Sequence, residues 1–239
     1  MLLKKLINNL HKNLHKIRIK NLSLDSRKIK TGDLFFLLTE NKLDGKKFII
    51  SAIKKGASAV VCSKNIRIKQ IKIPIIKVQN PKEILINCCE KFYNPKPKNI
   101  IAVTGTNGKT SVADFFHQIL SLNKIPVASI GTLGIKTDKL SKKLNLTSPD
   151  IITLHSELVK IKKKNIDNVI IEASSHGLAQ GRLSGLNFKA GIFTNLSQDH
   201  LDYHKSMKNY FNSKLILFSK LMKKNKYLII DSSISEFTK

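Results

Sequence analysis

The sequence predicts an α/β protein of two segments, the second built on a parallel sheet. Three observations carry this. After residue 98, apolar β-branched runs alternate with amphipathic stretches. A glycine-rich turn joins one such run to a helix-like stretch, and Asn94-Pro95-Lys96-Pro97-Lys98 divides the chain. Strands alternating with helices read as βαβ units and a parallel sheet. Two prolines so close together disfavour both helix and sheet pairing, so residues 94–98 read as a linker.

The first segment, residues 1–93, opens with Leu3, Leu6, Ile7, Leu10 and Leu14 at helical spacing. This predicts an amphipathic surface helix, because the unbroken apolar core and cleavage site of a signal peptide are missing. Short apolar runs follow at Leu34–Leu38, Ala59–Cys62 and Ile73–Val78. In the second segment, residues 99–239, Ile100–Thr104 predicts a buried strand. Thr110–Leu122 predicts a helix with Val112, Phe115, Phe116 and Ile119 on one side. Further strands are expected at Val127–Ile130, Val169–Glu172, Gly191–Thr194 and Tyr227–Asp231, and helices at Ile151–Lys164 and near Met207–Leu221. Ligands of parallel sheets sit beyond the carboxyl ends of the strands, where the glycine turn, Glu172 and Thr194-Asn195 fall.

Composition narrows the function classes. A chain of 239 residues can bury a proper core in one large or two small domains. No apolar run is long enough to span a membrane. Cys62, Cys88 and Cys89 are odd in number and form no C-x-x-C, which speaks against a disulfide framework or zinc site and fits a reducing cytoplasm. The net charge of +27 raises the class of nucleic-acid-binding proteins. Yet the basic residues are nearly all Lys, with Arg only at Arg18, Arg27, Arg67 and Arg182, and they are strewn along the chain. Abundant Lys, Ile and Asn suggest A+T-rich coding drift, so no specific nucleic-acid partner is expected.

Three stretches carry chemistry. IAVTGTNGKTSVADFF, residues 101–116, has the order strand, glycine turn, Lys-Thr, helix, but its glycines are spaced G-x-x-G-K-T. Gly105, Thr106, Asn107, Gly108, Lys109, Thr110 and Ser111 would cradle phosphates with backbone N–H groups, Lys109 reaching a terminal phosphate and Thr110 a Mg²⁺. The bland alternative is an ordinary βα turn. EASSHGLAQGRL, residues 172–183, offers Glu172 as a metal ligand or merely a solvated strand-end acid. Its polar run of Ser174, Ser175, His176, Gln180 and Arg182 suits an anionic substrate. FTNLSQDHLDYH, residues 193–204, gathers Asp199, His200, Asp202 and His204 after a strand. That fits a divalent metal, or else a capping Asp beside surface histidines. Thr147-Ser148-Pro149-Asp150 reads first as a helix start.

TGTNGKT, EASSHGLAQGR and FTNLSQDHLDYH, in this order, resemble the Mur ligases of peptidoglycan synthesis. Within that family the resemblance is to the ligases of the third amino acid. LDSRKIKTGDLFF and LDGKKFIISAIKKGASAVV look like the N-terminal uridine-binding domain. The resemblance implies a small uridine-binding α/β domain over 1–93 and an incomplete P-loop-type central ATPase domain over 99–239. The implied activity is ATP-dependent amide-bond formation through an acyl phosphate, adding meso-diaminopimelate or L-lysine to UDP-N-acetylmuramoyl-dipeptide in a cytoplasmic monomer.

By the same resemblance, Lys109 and Thr110 hold the phosphates and a first Mg²⁺, Glu172 is a further ligand, and His200 serves a second Mg²⁺. Thr147, Ser148, Ser174, Gln180 and Arg182 match positions that hold the muramoyl peptide. Leu24, Ser26 and Asn41-Lys42-Leu43 match the uridine contacts, although some relatives carry His where Asn41 stands. Lys214, in YFNSKLILFSK, matches a carbamylated lysine that joins His200 at the metal. Read alone, it is one lysine among many on an amphipathic helix, with a surface role expected; the alternative is that Leu215, Ile216 and Leu217 bury it in part, which would disfavour its ammonium form. Family members are longer and carry a third, amino-acid-binding domain, so this chain is expected to be a fragment that binds substrates without ligating them. A folylpolyglutamate-synthetase-like ligase shares such an ATP loop, but Asp25-Ser26-Arg27 and SSHGLAQGR speak against it.

Overall fold

The computed structural model describes residues 1–39, 42–68, 73–144, 146–223, 225–232 and 234, with the backbone alone for Lys42 and Leu43. The chain divides into two compact units, Met1–Asn94 and Pro95–Lys239.

In the first unit, α1 (Leu3–Leu6) and a 3-10 turn (Lys12–Leu14) precede β1 (Asn21–Ser23) and β2 (Asp33–Phe36). Then come α2 (Lys42–Lys54), β3 (Ala59–Ser63), β4 (Ile75–Val78) and α3 (Pro81–Phe92). The four strands pair in parallel in sequence order. Alternate residues Val60 and Cys62 send their side chains to one face, packing with Phe35, Ile49 and Ala52. Helix α3 starts where the chemistry is right: Pro81 occupies the first turn and the Asn80 side chain accepts from Glu83 N–H at 3.2 Å.

The expected amphipathic N-terminal helix is not formed. Helix α1 is a single turn, and Leu3, Leu6 and Ile7 are buried rather than lying on a surface face. The backbone turns extended at Ile7, with φ −121° and ψ 127°, which ends the helix, and Asn9 beyond it is left-handed at φ 55°. The chain then doubles back, with Leu3 N–H donating to Ile17 O and Ile19 N–H to Met1 O, both at 2.8 Å.

The second unit holds a seven-stranded sheet. In chain order its elements begin with β5 (Asn99–Thr104), α4 (Lys109–Leu122), β6 (Val127–Gly131), β7 (Gly134–Thr137), β8 (Leu140–Lys142) and α5 (Ile151–Lys163). They continue with β9 (Asn168–Glu172), α6 (Ser175–Ala179), β10 (Phe188–Phe193), α7 (Leu201–His204), α8 (Met207–Ile216), a π-helical turn (Leu217–Leu221) and β11 (Tyr227–Ile230). The spatial order is β11-β10-β5-β9-β6-β7-β8. The first five of these strands are parallel, and β7 and β8 extend the sheet as an antiparallel ribbon, so the sheet is mixed rather than purely parallel.

One face of this sheet buries Ile100, Ala102, Val169 and Ile171 against Leu154 and Leu158 of α5, and the other buries Val103 and Ile170 against Ala113 of α4. The face of α4 differs from the expectation. Phe115 and Ile119 point to solvent, while Ala113 and His117 are buried and Val112 and Phe116 pack half-buried on the sheet. Ala113 and His117 lie one turn apart on the side turned to the sheet, so Phe115 and Ile119, each two residues further on, fall on the opposite side.

Candidate active site

Strands β10, β5, β9 and β6 lie side by side and end together, so Thr194, Gly105, Glu172 and Gly131 meet along one edge. The turn after β5 needs its glycines. Gly105 has φ 144° with the Thr194 hydroxyl under the place a Cβ would take, and Gly108 caps α4 at φ 80°. The strand after it in space holds the turn open. Asn195 O accepts from Thr106 N–H at 3.0 Å, and Asn195 Oδ1 accepts from Asn107 N–H at 2.9 Å. The Thr194 hydroxyl donates to Asn107 O at 2.6 Å. Lys109 bends over the turn and donates to Gly105 O at 2.9 Å and Thr106 O at 2.7 Å. Burial lowers its pKa, while Glu172 and Asp199 oppose the shift. Ser111 lies exposed in the first turn of α4.

Glu172 is no solvated strand-end acid: it is 2% exposed. Its Oε2 accepts from the hydroxyls of Thr110 at 2.8 Å and Thr132 at 3.1 Å, and its Oε1 from Thr132 N–H at 2.9 Å. A buried carboxylate beside a threonine hydroxyl, at a helix N-terminus that attracts phosphate, is a donor set of hard oxygens that fits Mg²⁺.

The helix-start reading of Thr147-Ser148-Pro149-Asp150 is right for Asp150 alone, which accepts from Ile152 and Thr153 N–H at 3.0 and 3.1 Å. Ser148 turns the other way. It donates to Glu172 O at 2.8 Å and lies 3.0 Å from the Ser174 hydroxyl. Arg182 donates to Ser148 O at 2.7 Å and to Gln180 Oε1 at 2.9 Å, and Thr147 Oγ1 sits 3.1 Å from Thr132 Oγ1. Thr147, Ser148, Ser174, Gln180 and Arg182 therefore form, through Thr132 and Glu172, one connected polar network, with Ser148 buried inside it.

The four-residue metal cluster expected from Asp199, His200, Asp202 and His204 is not assembled. Among the described residues no three His, Cys, Asp or Glu side chains converge as a ligand set. The single turn of α7 sends Asp202 outward and buries His204 against Tyr210, where its Nε2 has no hydrogen-bond partner. His200 stays half-exposed, its ring 4.9 Å from that of His176 and 6.2 Å from that of Tyr210. Burial comes first in lowering the pKa of both His176 and His204, with neighbouring cationic groups adding to it.

Lys214, by contrast, is 1% exposed. Its Nζ donates to Gly105 O at 2.7 Å and lies 4.2 Å from the centre of the Tyr210 ring. Burial, helped by Lys109 and opposed by Asp199, pushes its pKa down to about 7. The Tyr210 hydroxyl donates to Thr106 Oγ1 at 3.2 Å, so one aromatic ring bridges the phosphate turn, His200 and Lys214. Tyr210 and Thr132 carried no signal in the sequence, since each acts through contacts far along the chain.

In the first unit, Leu24 and Ser26 line a cleft of about 670 Å³ with Arg27, Phe35, Leu38 and Phe48. Arg27 makes a two-pronged contact with Asp25, both distances 3.0 Å, and these hydrogen bonds hold the Asp25 carboxyl down at about 2. Asn41 lies outside the described residues. Lys42 and Leu43 open α2.

Residues 103–239 match the Mur ligase middle domain, more than half the chain, and residues 18–93 match the Mur ligase family, catalytic domain. The chain belongs to the Mur ligase family. It is 43% identical over 206 residues to the UDP-N-acetylmuramoyl-L-alanyl-D-glutamate--2,6-diaminopimelate ligase of Bradyrhizobium diazoefficiens, covering 86% of this chain and 42% of that one. To the ligase of the same name from Rickettsia bellii it is 40% identical over 225 residues, covering 92% and 46%. A solved structure of a ligase with this name superposes with TM-score 0.83 at 27% identity over 99% of this chain and 48% of its own. The fold is shared with a MurF ligase from Thermotoga maritima in complex with ADP, at TM-score 0.61, 17% identity and coverage of 92% and 48%. The chain thus spans less than half the length of these relatives.

Proposed function

We propose that this chain is the nucleotide- and phosphate-handling part of an ATP-dependent ligase. The ligase would join a third amino acid, meso-diaminopimelate before L-lysine, to UDP-N-acetylmuramoyl-L-Ala-D-Glu in peptidoglycan synthesis. The observation that carries this reading is the convergence of Lys109, Thr110 and the buried Glu172 on one glycine turn. The amino acid follows the name of the relatives above.

In the proposed reaction a substrate carboxylate oxygen bonds to the γ-phosphorus as the bond to the bridging oxygen breaks and ADP leaves. The incoming amine then displaces phosphate from the acyl phosphate. Lys109 would swing from its loop carbonyls to the phosphates, and the backbone N–H groups of Gly105–Ser111 would take up negative charge. Thr110 and Glu172 would hold a first Mg²⁺ and His200 and Lys214 a second, and ions so held would supply neutralisation of the charge gathering between the two anions. Lys214 would serve as a carbamate: its amine, with a pKa of about 7, is free enough of protons near neutrality to take up CO₂. Arg182 suits a two-pronged grip on an anionic group of the muramoyl peptide.

We assign uridine binding to residues 1–93 on the cleft beside Leu24 and Ser26, ATP binding to 99–239, and the role of linker to 94–98. Amino-acid binding and closure over ATP would fall to further sequence of the kind that fills out the relatives. Three buried cysteines outside any disulfide suit a reducing cytoplasm, and a monomer is expected. No described helix is long and apolar enough to cross a membrane. Isothermal titration tests the reading: Mg²⁺-ATP and UDP-N-acetylmuramoyl-dipeptide should each bind, and failure of both would overturn it.

A further inference from the structure

We propose that Thr132 is a positioning residue that holds Glu172 in register for the metal, an inference that rests on the Mg²⁺-nucleotide reading above. Glu172 ends β9 and Thr132 follows β6, the strand paired beside it in parallel with Ile130 opposite Ile171. The two strand ends close on each other because residue 131 is glycine: a Cβ there would collide with the Glu172 carboxyl group. Thr132 then grips both carboxylate oxygens, Oε1 through its N–H at 2.9 Å and Oε2 through its hydroxyl at 3.1 Å.

The other hydroxyl on Oε2 belongs to Thr110, at 2.8 Å. A hydroxyl that gives a lone pair to a cation keeps its proton for Oε2, so Thr110 fixes one carboxylate oxygen, whereas Thr132 fixes both and sets the orientation of the whole group. A carboxylate buried to 2% exposure has few other ways to be held. Thr132 is itself exposed, and its hydroxyl lies 3.1 Å from that of Thr147. A muramoyl-peptide substrate held by Thr147 and Ser148 would therefore sense the same threonine that orients the metal ligand.

The test uses the full chain as wild type, Thr132→Val and Thr132→Ser. ADP is titrated with and without Mg²⁺, and Mn²⁺ binding to the ADP complex is followed by paramagnetic resonance. Thr132→Val should raise the Mg²⁺ concentration for half-maximal ADP binding about tenfold, the effect of one charge-assisted hydrogen bond. Metal-free ADP affinity should stay within error, the melting temperature should fall by only a few degrees for the one hydrogen bond lost, and Thr132→Ser should restore metal dependence to within about twofold. Wild-type metal dependence in Thr132→Val, or equal loss of metal-free and metal-dependent affinity, would overturn the role of Thr132 while leaving the nucleotide reading intact. Wild-type protein whose ADP binding ignores Mg²⁺ would remove the nucleotide reading and this inference together.

Discussion

Lys109 and Lys214 donate to the same carbonyl, Gly105 O, yet they answer to different physics. Lys109 is half-buried and can turn outward, so Lys109→Ala should weaken Mg²⁺-ATP binding about tenfold to a hundredfold with little change in melting temperature. Calorimetric titration reads the first and a thermal scan the second. Lys214 is sealed in. Its folded pKa of about 7 lies below the ordinary 10.5, so between those values the unfolded chain binds more protons and stability rises with pH. Below about pH 7 the full cost of burying the amine is present, on the order of a few kcal/mol. Lys214→Met should therefore melt higher than wild type near pH 7 in CO₂-free buffer, with the gap narrowing toward pH 10. Bicarbonate should raise the melting temperature of wild type alone if the amine forms a carbamate; an equal response in both proteins would remove that role.

At the scale of elements, a side-chain cap sets the start of α3, α5, α6 and α8. Asp150 accepts from two backbone N–H groups of α5 and from the Thr153 hydroxyl at 2.6 Å. Asp150→Ala should cost about 1 kcal/mol, measurable as a lower urea midpoint at unchanged slope. Strand β11 is the opposite case. It closes one edge of the larger sheet with Tyr227, Leu228, Ile229 and Ile230 all exposed. An apolar edge strand with free backbone groups is a place where other chains can pair, and Ile229→Lys should slow aggregation of the heated protein in light scattering. The ribbon of β7 and β8 escapes a reading of pattern because its strands are short and carry Lys136 and Lys142, which pair with Asp114 and Glu157 instead of packing in a core.

For the whole molecule, the division at Asn94 suggests two ligand sites in separate units. Hydrogen exchange followed by mass spectrometry should report this directly. Mg²⁺-ADP should protect residues 105–111, and UDP should protect residues 24–39 around the first-unit cleft. Protection of the same segments by both ligands would contradict the assignment. The charge of +27 should add a long-range pull on these anionic ligands that fades as salt shortens the screening length to about 8 Å at physiological ionic strength.

By itself, the sequence determined what short-range sterics and periodicity decide. The run Ile101–Thr104, the glycines after it and Lys109-Thr110 specify strand, turn and helix start within a dozen residues, and the structure has them there. It also placed Glu172 and Thr194 at strand ends. What it left open was settled by partners far along the chain. Glu172 is buried because β6 lies beside β9 and brings Thr132, 40 residues away, onto its carboxylate. Lys214 leaves the surface only because α8 packs it onto Gly105 O, 109 residues earlier. His204 turns inward although its pattern matches that of its exposed neighbour His200, and Leu3 and Leu6 are claimed by a doubled-back chain rather than a helix face. Periodicity reports which residues share a face; only the assembled sheet decides what that face meets.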